Sequence, residues 1–417
     1  MTIDYALLGA GNRGTKYATW VAEHPDRARV VAVADPDPGA RDRIGELCGV
    51  APDRRYDSWS ALLAEGRIAD SAIVATQDAD HVGPAVAALE LGYDVLLEKP
   101  MAPTEQDCRR IVDAAHASGR LFAVCHVLRY TPYTALVRSI IASGVLGVLQ
   151  SVQHLEPIGW WHFAHSYVRG NWRNEALSSS LLLAKSCHDL DWLAFVMGAR
   201  ISSVSGFGSL RHFRAGEAPE GAADRCVDCV HQHTCPYSAV DLYLDRPVGE
   251  ASGWPLYVLT RDPSQMAKAV AEGPYGRCVY ASDNDVVDHQ VVALEFDNGA
   301  TGSFTLTAFT DKADRQTRIF GSHGCLEGDG DTVRVLDFAT REWTTHSAHR
   351  PGEMDAASGH GGGDDGLMDA WTAAVAAQDQ SLVSSDAASA LASHLAVFAA
   401  ERARKQRLVL EVDPAGM

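Results

Sequence analysis

The feature that most constrains this chain is a glycine-rich turn close to its start. Gly9, Gly11 and Gly14 form the pattern G-x-G-x-x-G directly after an apolar run at residues 5–8. Glycines at this spacing allow a tight turn from strand to helix and let a pyrophosphate approach the backbone. The next apolar run ends at Asp35, where a carboxylate can bind the adenosine ribose hydroxyls and repel a 2′-phosphate. The pattern predicts a dinucleotide site that favours NAD over NADP.

The rest of the first third repeats the alternation of strand and helix. Its further apolar runs are almost continuously hydrophobic and lie at residues 30–34, 71–75, 94–97 and 121–124. Parallel strands that are covered on both faces have this character. Strand–helix repetition therefore predicts an α/β fold that begins with a Rossmann doubly wound parallel sheet, over residues 1–127.

The pattern changes after about residue 130. A helix is predicted over residues 132–143, followed by runs that alternate apolar and polar residues at 149–154, 201–210, 289–296 and 301–309. Asn298 and Gly299 separate the last two runs and indicate a hairpin. We therefore predict a C-terminal α+β domain with a large, mostly antiparallel sheet over residues 128–417. Residues 349–366, rich in Gly, Asp, Ser and His, are predicted to form a loop.

Composition limits the partners of the chain. The formal net charge is −18 over 417 residues, which argues against nucleic acid or an anionic membrane surface as a partner. No apolar run approaches the roughly 20 residues that span a bilayer. Because the first residues run straight into a strand, without a basic leader, we expect a cytoplasmic protein.

Three motifs resemble those of the Gfo/Idh/MocA oxidoreductase family. They are Glu-Lys-Pro at residues 98–100, Arg-Tyr-Thr-Pro at 129–132 and His-Asp-Leu-Asp at 188–191. The resemblance covers essentially the whole chain. It implies a small carbohydrate-like substrate, oxidised at a ring carbon that bears a hydroxyl group. It also implies a homodimer or homotetramer.

The resemblance implies roles for individual residues. Lys99 would stabilise or accept charge on the reacting hydroxyl, and His188 would act as general acid or base. Many relatives carry an aspartate where this chain has Ala184, so the neighbouring Lys185 is expected to take part of that role. The predicted catalytic residues are Lys99, Tyr130, Lys185 and His188. The predicted cofactor-binding residues are Gly9, Gly11, Asn12, Arg13, Gly14, Asp35, Thr76, His81, Glu98 and Lys99, with Arg13 along the pyrophosphate or moderating the preference for NAD.

Residues 159–173 are dense in aromatic, imidazole and guanidinium groups. Aromatic faces stack on sugar rings, while arginine and histidine bind hydroxyls or an anionic substituent. The alternative is an aromatic segment packed between domains, which is nearly as good an interpretation for the tryptophans. The predicted substrate residues are His165, Arg169, Trp172, Arg173 and Asp191, the last because its spacing places it with Lys185 and His188 on one helix face.

A cysteine cluster lies in a region of low apolar periodicity, residues 214–285. Cys226, Cys229 and Cys235 have the spacing of metal ligands. Cys278 is the first choice for a fourth ligand of a structural zinc ion, and His231 and His233 are the alternatives. An iron–sulfur cluster or three unliganded, reduced cysteines also remain open.

Three functions fit these features. The first is a net NAD-dependent dehydrogenase or reductase. The second is a redox-neutral glycosidase, in which bound NAD transiently oxidises a ring hydroxyl so that the glycosidic oxygen can be eliminated, and extra bases such as Lys185 and His165 favour it. The third is a non-catalytic sensor that binds a dinucleotide, which the joint presence of Lys99 and His188 argues against.

Overall fold

The computed structural model describes residues 2–249, 253–311, 314–348 and 361–412. The strands of the first sheet are β1 (Ile3–Leu8), β2 (Ala28–Ala34), β3 (Arg55–Tyr56), β4 (Ser71–Val74), β5 (Asp94–Leu97) and β6 (Phe122–Val124). All are parallel and lie in the order β3-β2-β1-β4-β5-β6. The order reverses between β1 and β4, which opens a crevice at the carboxyl ends of the strands, where sheets of this kind bind ligands.

Helices cover both faces of this sheet. They are α1 (Asn12–Glu23), α2 (Pro38–Cys48), α3 (Trp59–Leu63), α4 (Val82–Glu90) and α5 (Glu105–Ser118). The helix α1 begins inside the glycine pattern, so its first N–H groups, which have no partner within the helix, point to the crevice. The Rossmann sheet predicted from the repeated apolar runs is confirmed.

The second sheet has nine strands among the described residues. They are β7 (Leu149–Pro157), β8 (Ile201–Ser209), β9 (His289–Phe296), β10 (Thr301–Thr307), β11 (Gln316–Gly321), β12 (Gly324–Gly328), β13 (Thr332–Asp337), β14 (Glu342–Ser347) and β15 (Leu410–Glu411). Only β10 and β7 pair in parallel. The mostly antiparallel sheet is confirmed, and β9 and β10 form the hairpin that Asn298 and Gly299 indicate.

The remaining helices are α6 (Pro132–Ala142), α7 (Trp160–Phe163), α8 (Leu181–Met197), α9 (Leu256–Leu259), α10 (Met266–Glu272), α11 (Gly363–Ala377) and α12 (Ala387–Gln406). Although α11 comes late in the chain, it packs against the first sheet. Trp371 donates a hydrogen bond to Ser71, and the hydroxyls of Tyr5 and Thr372 lie 2.8 Å apart. The helix begins inside the predicted loop at 349–366, of which residues 349–360 lie outside the described residues. The boundary at 127/128 stays a prediction.

The region at 214–285 packs around a small apolar core of its own, which includes Ala239, Leu242 and Val270. It also reaches the first sheet, because the Tyr257 hydroxyl donates a hydrogen bond to Asn12 Oδ1 at 2.8 Å. In the part of the chain that the structure describes, no helix is both long enough and apolar enough to cross a membrane.

Candidate active site

The three glycines of the turn serve two different purposes. A Cβ at Gly9, whose φ is +103°, would lie 2.3 Å from the Ala75 carbonyl oxygen, and one at Gly14 would lie 2.0 Å from the Gly9 oxygen. At Gly11 nothing lies within 4 Å of the Cβ position. The first and third glycines are therefore required by the packing of the protein itself. The second leaves open backbone, which fits the approach of a pyrophosphate.

Asp35 lies at the end of β2 with both carboxylate oxygens held by backbone. It accepts hydrogen bonds from the N–H groups of Ala10 at 2.7 Å and Asp37 at 2.8 Å. Each carboxylate oxygen has a second lone pair, so the group can still accept from ribose hydroxyls. Thr76 donates to the Asp80 carbonyl at 3.1 Å and shapes the turn after β4. These residues fit a bound NAD.

Arg13, predicted along the pyrophosphate, contacts side chains of the protein. Its Nε donates to Glu98 at 2.6 Å, and its Nη2 donates to Asp364 at 2.5 Å and to the Tyr17 hydroxyl at 2.7 Å. We call Arg13, Tyr17, Glu98 and Asp364 the strand-end cluster. Because these partners hold the guanidinium, it is not available to moderate the preference for NAD.

Glu98 and His81, predicted to bind the cofactor, are buried and bonded within the protein. Burial alone would raise the pKa of Glu98, but the charges of Arg13 and Lys99 outweigh burial and lower it. The ring of His81 lies 2.8 Å from the Pro100 carbonyl and 3.2 Å from the Thr76 carbonyl. Both residues therefore position the chain around Lys99, and their direct contact with the cofactor stays a prediction.

Lys99 joins the cofactor crevice to the second half of the chain. Its backbone N–H donates to Glu98 Oε2 at 2.9 Å, and its Nζ donates to the Ala184 carbonyl at 3.1 Å. Ala184 lies in the first turn of α8, directly before Lys185 and one turn before His188. The structure thus brings together three of the four predicted catalytic residues.

A network of charged side chains lies between α8 and the second sheet. Lys185 Nζ is 2.9 Å from Glu156 Oε1, and the other oxygen of Glu156 is 3.0 Å from Arg315 Nη2. Arg315 also pairs with Asp189 and lies 2.7 Å from His188 Nε2. We call these five residues the helix-face cluster.

The cluster sets the protonation of its members. A guanidinium group can only donate hydrogen bonds, so His188 Nε2 accepts from Arg315 and the neutral ring carries its proton on Nδ1. Burial lowers the pKa of Lys185, and the charge of Glu156 only partly opposes this. Burial would raise the pKa of Asp189, but Arg315 holds it well below its usual range. The cluster therefore places Lys185, whose pKa is lowered, beside carboxylates that are paired with arginine.

The sequence analysis does not identify Arg315 and Glu156 as site residues. Glu156 carried a signal, because β7 alternates and its inward positions include His154 and Glu156, both 3% exposed. Polar residues on the buried face of an alternating strand indicate a site. Arg315 precedes β11 and has no comparable pattern around it.

Tyr130 and Asp191, predicted as a catalytic and a substrate residue, are both bonded to other residues of the protein. The Tyr130 hydroxyl is 2.9 Å from Ser385 Oγ and accepts from the Ser384 N–H at 3.1 Å. Asp191 is fully buried and accepts two hydrogen bonds from Arg129, at 2.7 and 2.6 Å. Asp191 is six residues from Lys185, which is about 120° around a helix, so the two cannot share a narrow face.

The aromatic segment at 159–173 is packed more tightly than a substrate-binding role predicts. His165 is 2% exposed, accepts or donates a hydrogen bond with the Tyr243 hydroxyl at 2.9 Å and stacks on Tyr275. Burial lowers its pKa to about 3. Trp172 donates to Asp78 at 3.3 Å and so contacts the turn after β4. His165 is thus packed within the protein, as the alternative of a packed aromatic segment expects. Trp172 lies beside the cofactor crevice.

The two arginines of this segment are also bonded within the protein. Arg169 is 2% exposed and donates to the carbonyls of Arg277 and Tyr237, each at 2.7 Å. Its predicted contact with substrate would require these bonds to be released. Arg173 pairs with Asp283 at 2.9 Å. An anionic sugar thus loses its main sequence argument.

The four predicted metal ligands, Cys226, Cys229, Cys235 and Cys278, line one cavity. Within the described ranges, no three His, Cys, Asp or Glu side chains form a ready-made metal site, so the zinc prediction is not confirmed. Of the alternative ligands, His233 is mostly exposed and paired with Asp245, and His231 bonds to the Glu220 carbonyl at 2.8 Å.

Comparison with known proteins identifies the family. A model described as the oxidoreductase family, NAD-binding Rossmann fold, matches residues 3–126, and one described as its C-terminal alpha/beta domain matches residues 138–411. The chain belongs to this family, Gfo/Idh/MocA, which includes NAD-binding oxidoreductases of sugars and cyclitols. It is therefore an enzyme, and the sensor alternative is set aside.

The relatives vary in what they act on. The Bacillus subtilis protein YteT is 26% identical over 82% of this chain and 81% of its own length. Inositol 2-dehydrogenase 4 of Saccharopolyspora erythraea is 30% identical over 52% of this chain and 60% of its own. The 2,7-anhydro-N-acetylneuraminate hydratase of Escherichia coli is 27% identical over 51% and 55%.

A solved structure of levoglucosan dehydrogenase with NADH and levoglucosan superposes with a TM-score of 0.73 at 16% identity. It covers 99% of this chain and 100% of that one. At this identity the likeness is one of fold.

Proposed function

We propose that this chain is an NAD-dependent oxidoreductase that oxidises a hydroxyl-bearing ring carbon of a sugar, glycoside or cyclitol. The observation that carries the proposal is the hydrogen bond from Lys99 Nζ to the Ala184 carbonyl, at 3.1 Å. It joins the carboxyl edge of the cofactor sheet to the helix of Lys185 and His188. A substrate hydroxyl bound there would contact these residues. The cofactor would contact the open backbone of Gly11.

The residues divide the chemistry between them. The Lys99 ammonium group binds the reacting oxygen and stabilises negative charge as it develops there. Lys185, whose pKa burial lowers, accepts the hydroxyl proton in its neutral form. Arg315 fixes the ring and tautomer of His188, which lies one helical turn after the carbonyl that Lys99 contacts. When bound, NAD supplies the acceptor for the hydride.

The preference for NAD rests on two features. Asp35 presents a carboxylate where the 2′-hydroxyl of the adenosine ribose would lie, and a 2′-phosphate would be repelled. Arg13, the nearest basic residue in the turn, is held by Glu98 and Asp364 and cannot bind that phosphate. Thermal shift with NAD and NADP should give stabilisation by NAD alone, and Asp35→Ala should reduce the difference.

The activity is tested by following NADH absorbance while sugars, cyclitols and aryl glycosides are screened with the purified protein and added NAD. NADH that accumulates in step with substrate loss supports a net oxidoreductase. The His188→Ala and Lys99→Ala variants should lose turnover while binding NAD as tightly as the wild type. Turnover without any change in either variant would exclude these residues from the chemistry.

A second candidate is a redox-neutral hydrolase or hydratase that recycles its NAD. The helix-face cluster favours it, because Lys185, Glu156 and His188 offer more proton-transfer groups than a single hydride transfer requires. Elimination needs one base for an acidified carbon–hydrogen bond and one acid for the leaving oxygen. Released aglycone without net NADH would identify this chemistry and exclude the first.

We also propose that the chain assembles as a homodimer or homotetramer in the cytoplasm. The support is the resemblance to the family and the large second sheet, which leaves Val291 and Phe320 exposed. Light scattering after size exclusion tests the assembly, and a monomer at all concentrations would contradict it.

A further inference from the structure

Four cysteines, three from the stretch 226–235 and the fourth from residue 278, line one cavity. Cys226 and Cys229 belong to a single turn, in which the Cys229 N–H donates to the Cys226 carbonyl at 3.3 Å. Cys278 lies on a neighbouring segment, held there by a hydrogen bond from its N–H to the Asp224 carbonyl at 2.8 Å. Cys235 comes from a third turn and lines the same cavity. Chance scattering of free cysteines does not explain this convergence.

The same cavity is lined by Arg169, a buried cation. Besides its two bonds to carbonyls, its Nη2 lies 3.6 Å from the Cys226 sulfur. Among the residues that the structure describes, no carboxylate forms an ion pair with Arg169 at 4.0 Å or less. A buried guanidinium group without a countercharge is costly. The groups positioned to supply negative charge are the four sulfurs.

We propose that Cys226, Cys229, Cys235 and Cys278 bind one structural Zn²⁺ ion as thiolates, with Arg169 as the compensating cation. Each thiol releases its proton on binding, so the centre carries two negative charges. Arg169 balances part of that charge through its contact with Cys226. Zinc suits four sulfur ligands because structural zinc sites are tetrahedral and commonly use four cysteine thiolates. Zinc also has no redox chemistry of its own.

The site requires a small rearrangement of side chains. No ready-made set of ligands is present among the described residues, so the sulfurs must turn into the cavity by rotation about their Cα–Cβ bonds. The backbone is already arranged, since the bridge between Arg225 and Arg277 sets Cys226 beside Cys278. A metal there would hold together the region at 214–285, whose own apolar core is small.

The metal site would also stabilise the wall of the active site. Arg169 ends the π-helical turn Ala164–Arg169, which is followed three residues later by Trp172 on the cofactor side. The zinc centre is thus a structural support for the aromatic segment and takes no part in the chemistry. The proposal does not depend on which of the two candidate reactions the enzyme performs.

The first test is the metal content of the wild-type protein, purified without chelators and measured by elemental analysis and native mass spectrometry. We expect about one zinc per chain. Replacement by Co²⁺ should give the intense thiolate-to-cobalt absorption and visible bands of a tetrahedral site. Absence of metal after dialysis against zinc, with the four thiols reactive in the native protein, would overturn the proposal without any variant.

Variants then identify the ligands. Cys278→Ser should lower zinc content and the melting temperature, whereas His231→Ala, which alters the same cavity, should leave both unchanged. Cys48→Ser is a control for loss of a cysteine elsewhere. Arg169→Met should weaken zinc retention against a chelator. Zinc lost in His231→Ala but kept in Cys278→Ser, a stoichiometric iron–sulfur cluster, or disulfides among the four cysteines would each contradict the assignment.

Discussion

Two partly buried arginines in this molecule have similar surroundings and different uses. In the strand-end cluster, Arg13 lies between Glu98 and Asp364, and in the helix-face cluster, Arg315 lies between Glu156 and Asp189. Each guanidinium group is therefore neutralised by a pair of carboxylates. The arrangement itself fixes geometry, because an arginine held on two sides cannot move without leaving a buried charge unpaired.

The difference lies in the other members of each cluster. The strand-end cluster is completed by Tyr17, whose pKa burial raises well above its usual range, while the charge of Arg13 lowers the pKa of Glu98. The helix-face cluster is completed by His188 and Lys185, and Lys185 has a lowered pKa. The same ion-pair architecture thus supports a rigid turn in one place and, in the proposed mechanism, proton transfer in the other.

Lys99 connects the two clusters, and its loss should have the largest effect. Its backbone N–H contacts Glu98 and its Nζ contacts the Ala184 carbonyl. Lys99→Met keeps the first contact and removes the second, so kcat should fall ~10³- to 10⁴-fold with little change in melting temperature. Steady-state kinetics with saturating NAD measure this, with the exposed Lys16→Met as the matched control. A loss below about tenfold would exclude Lys99 from the reacting centre.

Replacing each arginine by methionine compares the clusters directly. Arg13→Met and Arg315→Met each remove the guanidinium group that two buried carboxylates share, so each should lower the free energy of unfolding by about 3 kcal/mol. Only Arg315→Met should also lower kcat, by ~10²-fold, because His188 loses the donor that fixes its tautomer. Denaturant unfolding and the pH profile of kcat are the measurements.

These two variants can contradict the comparison in a simple way. If Arg13→Met lowers kcat as much as Arg315→Met at saturating NAD, both clusters take part in the chemistry. If the pH profile of kcat is unchanged in Arg315→Met, the guanidinium group does not set the protonation of His188. Arg173→Met, which removes a more exposed ion pair with Asp283, is the control for loss of an arginine.

His165 provides a buried histidine outside both clusters. Its pKa falls from 6.5 to about 3, because burial disfavours the charged ring. The folded state therefore binds the proton less tightly than the unfolded chain. The free energy of unfolding is not reduced by this histidine above pH 6.5, and it decreases as the pH falls from 6.5 toward 3. Unfolding free energy should fall by about 1.4 kcal/mol per pH unit for this one group, roughly 2 kcal/mol by about pH 5.

The variant His165→Phe tests that assignment, since it retains a ring to stack on Tyr275. Unfolding of the variant should take up one proton fewer than unfolding of the wild type, so its free energy of unfolding should depend less steeply on pH. Denaturant titrations of both proteins from neutral to acid pH measure this difference. His126 and His394, also buried with pKa values lowered to about 3 and about 4, remain in both proteins and cancel in the difference. Parallel curves would show that His165 does not titrate on unfolding.

The cofactor half could be predicted in detail because local rules govern it. A glycine pattern at a strand–helix junction requires a particular turn, and Gly9 and Gly14 have no room for a side chain. The second sheet followed from alternation and one hairpin dipeptide. The resemblance to the family identified Lys99 and His188. In the structure, Lys99 contacts the carbonyl of Ala184, one helical turn before His188.

The rest depended on contacts between distant segments, which spacing does not encode. Arg13 and Arg169 were assigned to ligands because a free guanidinium attracts anions, but Asp364 and the carbonyl of Arg277 reach them from far along the chain. Asp191 has its partner in Arg129, on another element. A motif therefore shows which side chains have useful chemistry, and only the fold shows which of them remain available.

Replacing Tyr130 should have the smallest effect on kcat, although this residue belongs to one of the family motifs. Its hydroxyl is bonded to Ser384 and Ser385, and burial raises its pKa, so it remains protonated. Tyr130→Phe should lower the free energy of unfolding by about 1 kcal/mol, the value of a lost hydrogen bond, and leave kcat within about twofold. Kinetics and denaturant unfolding of the same preparation measure both. A fall in kcat of ~10²-fold with unchanged stability would place the hydroxyl at the reacting carbon, because a catalytic group is lost without a structural one.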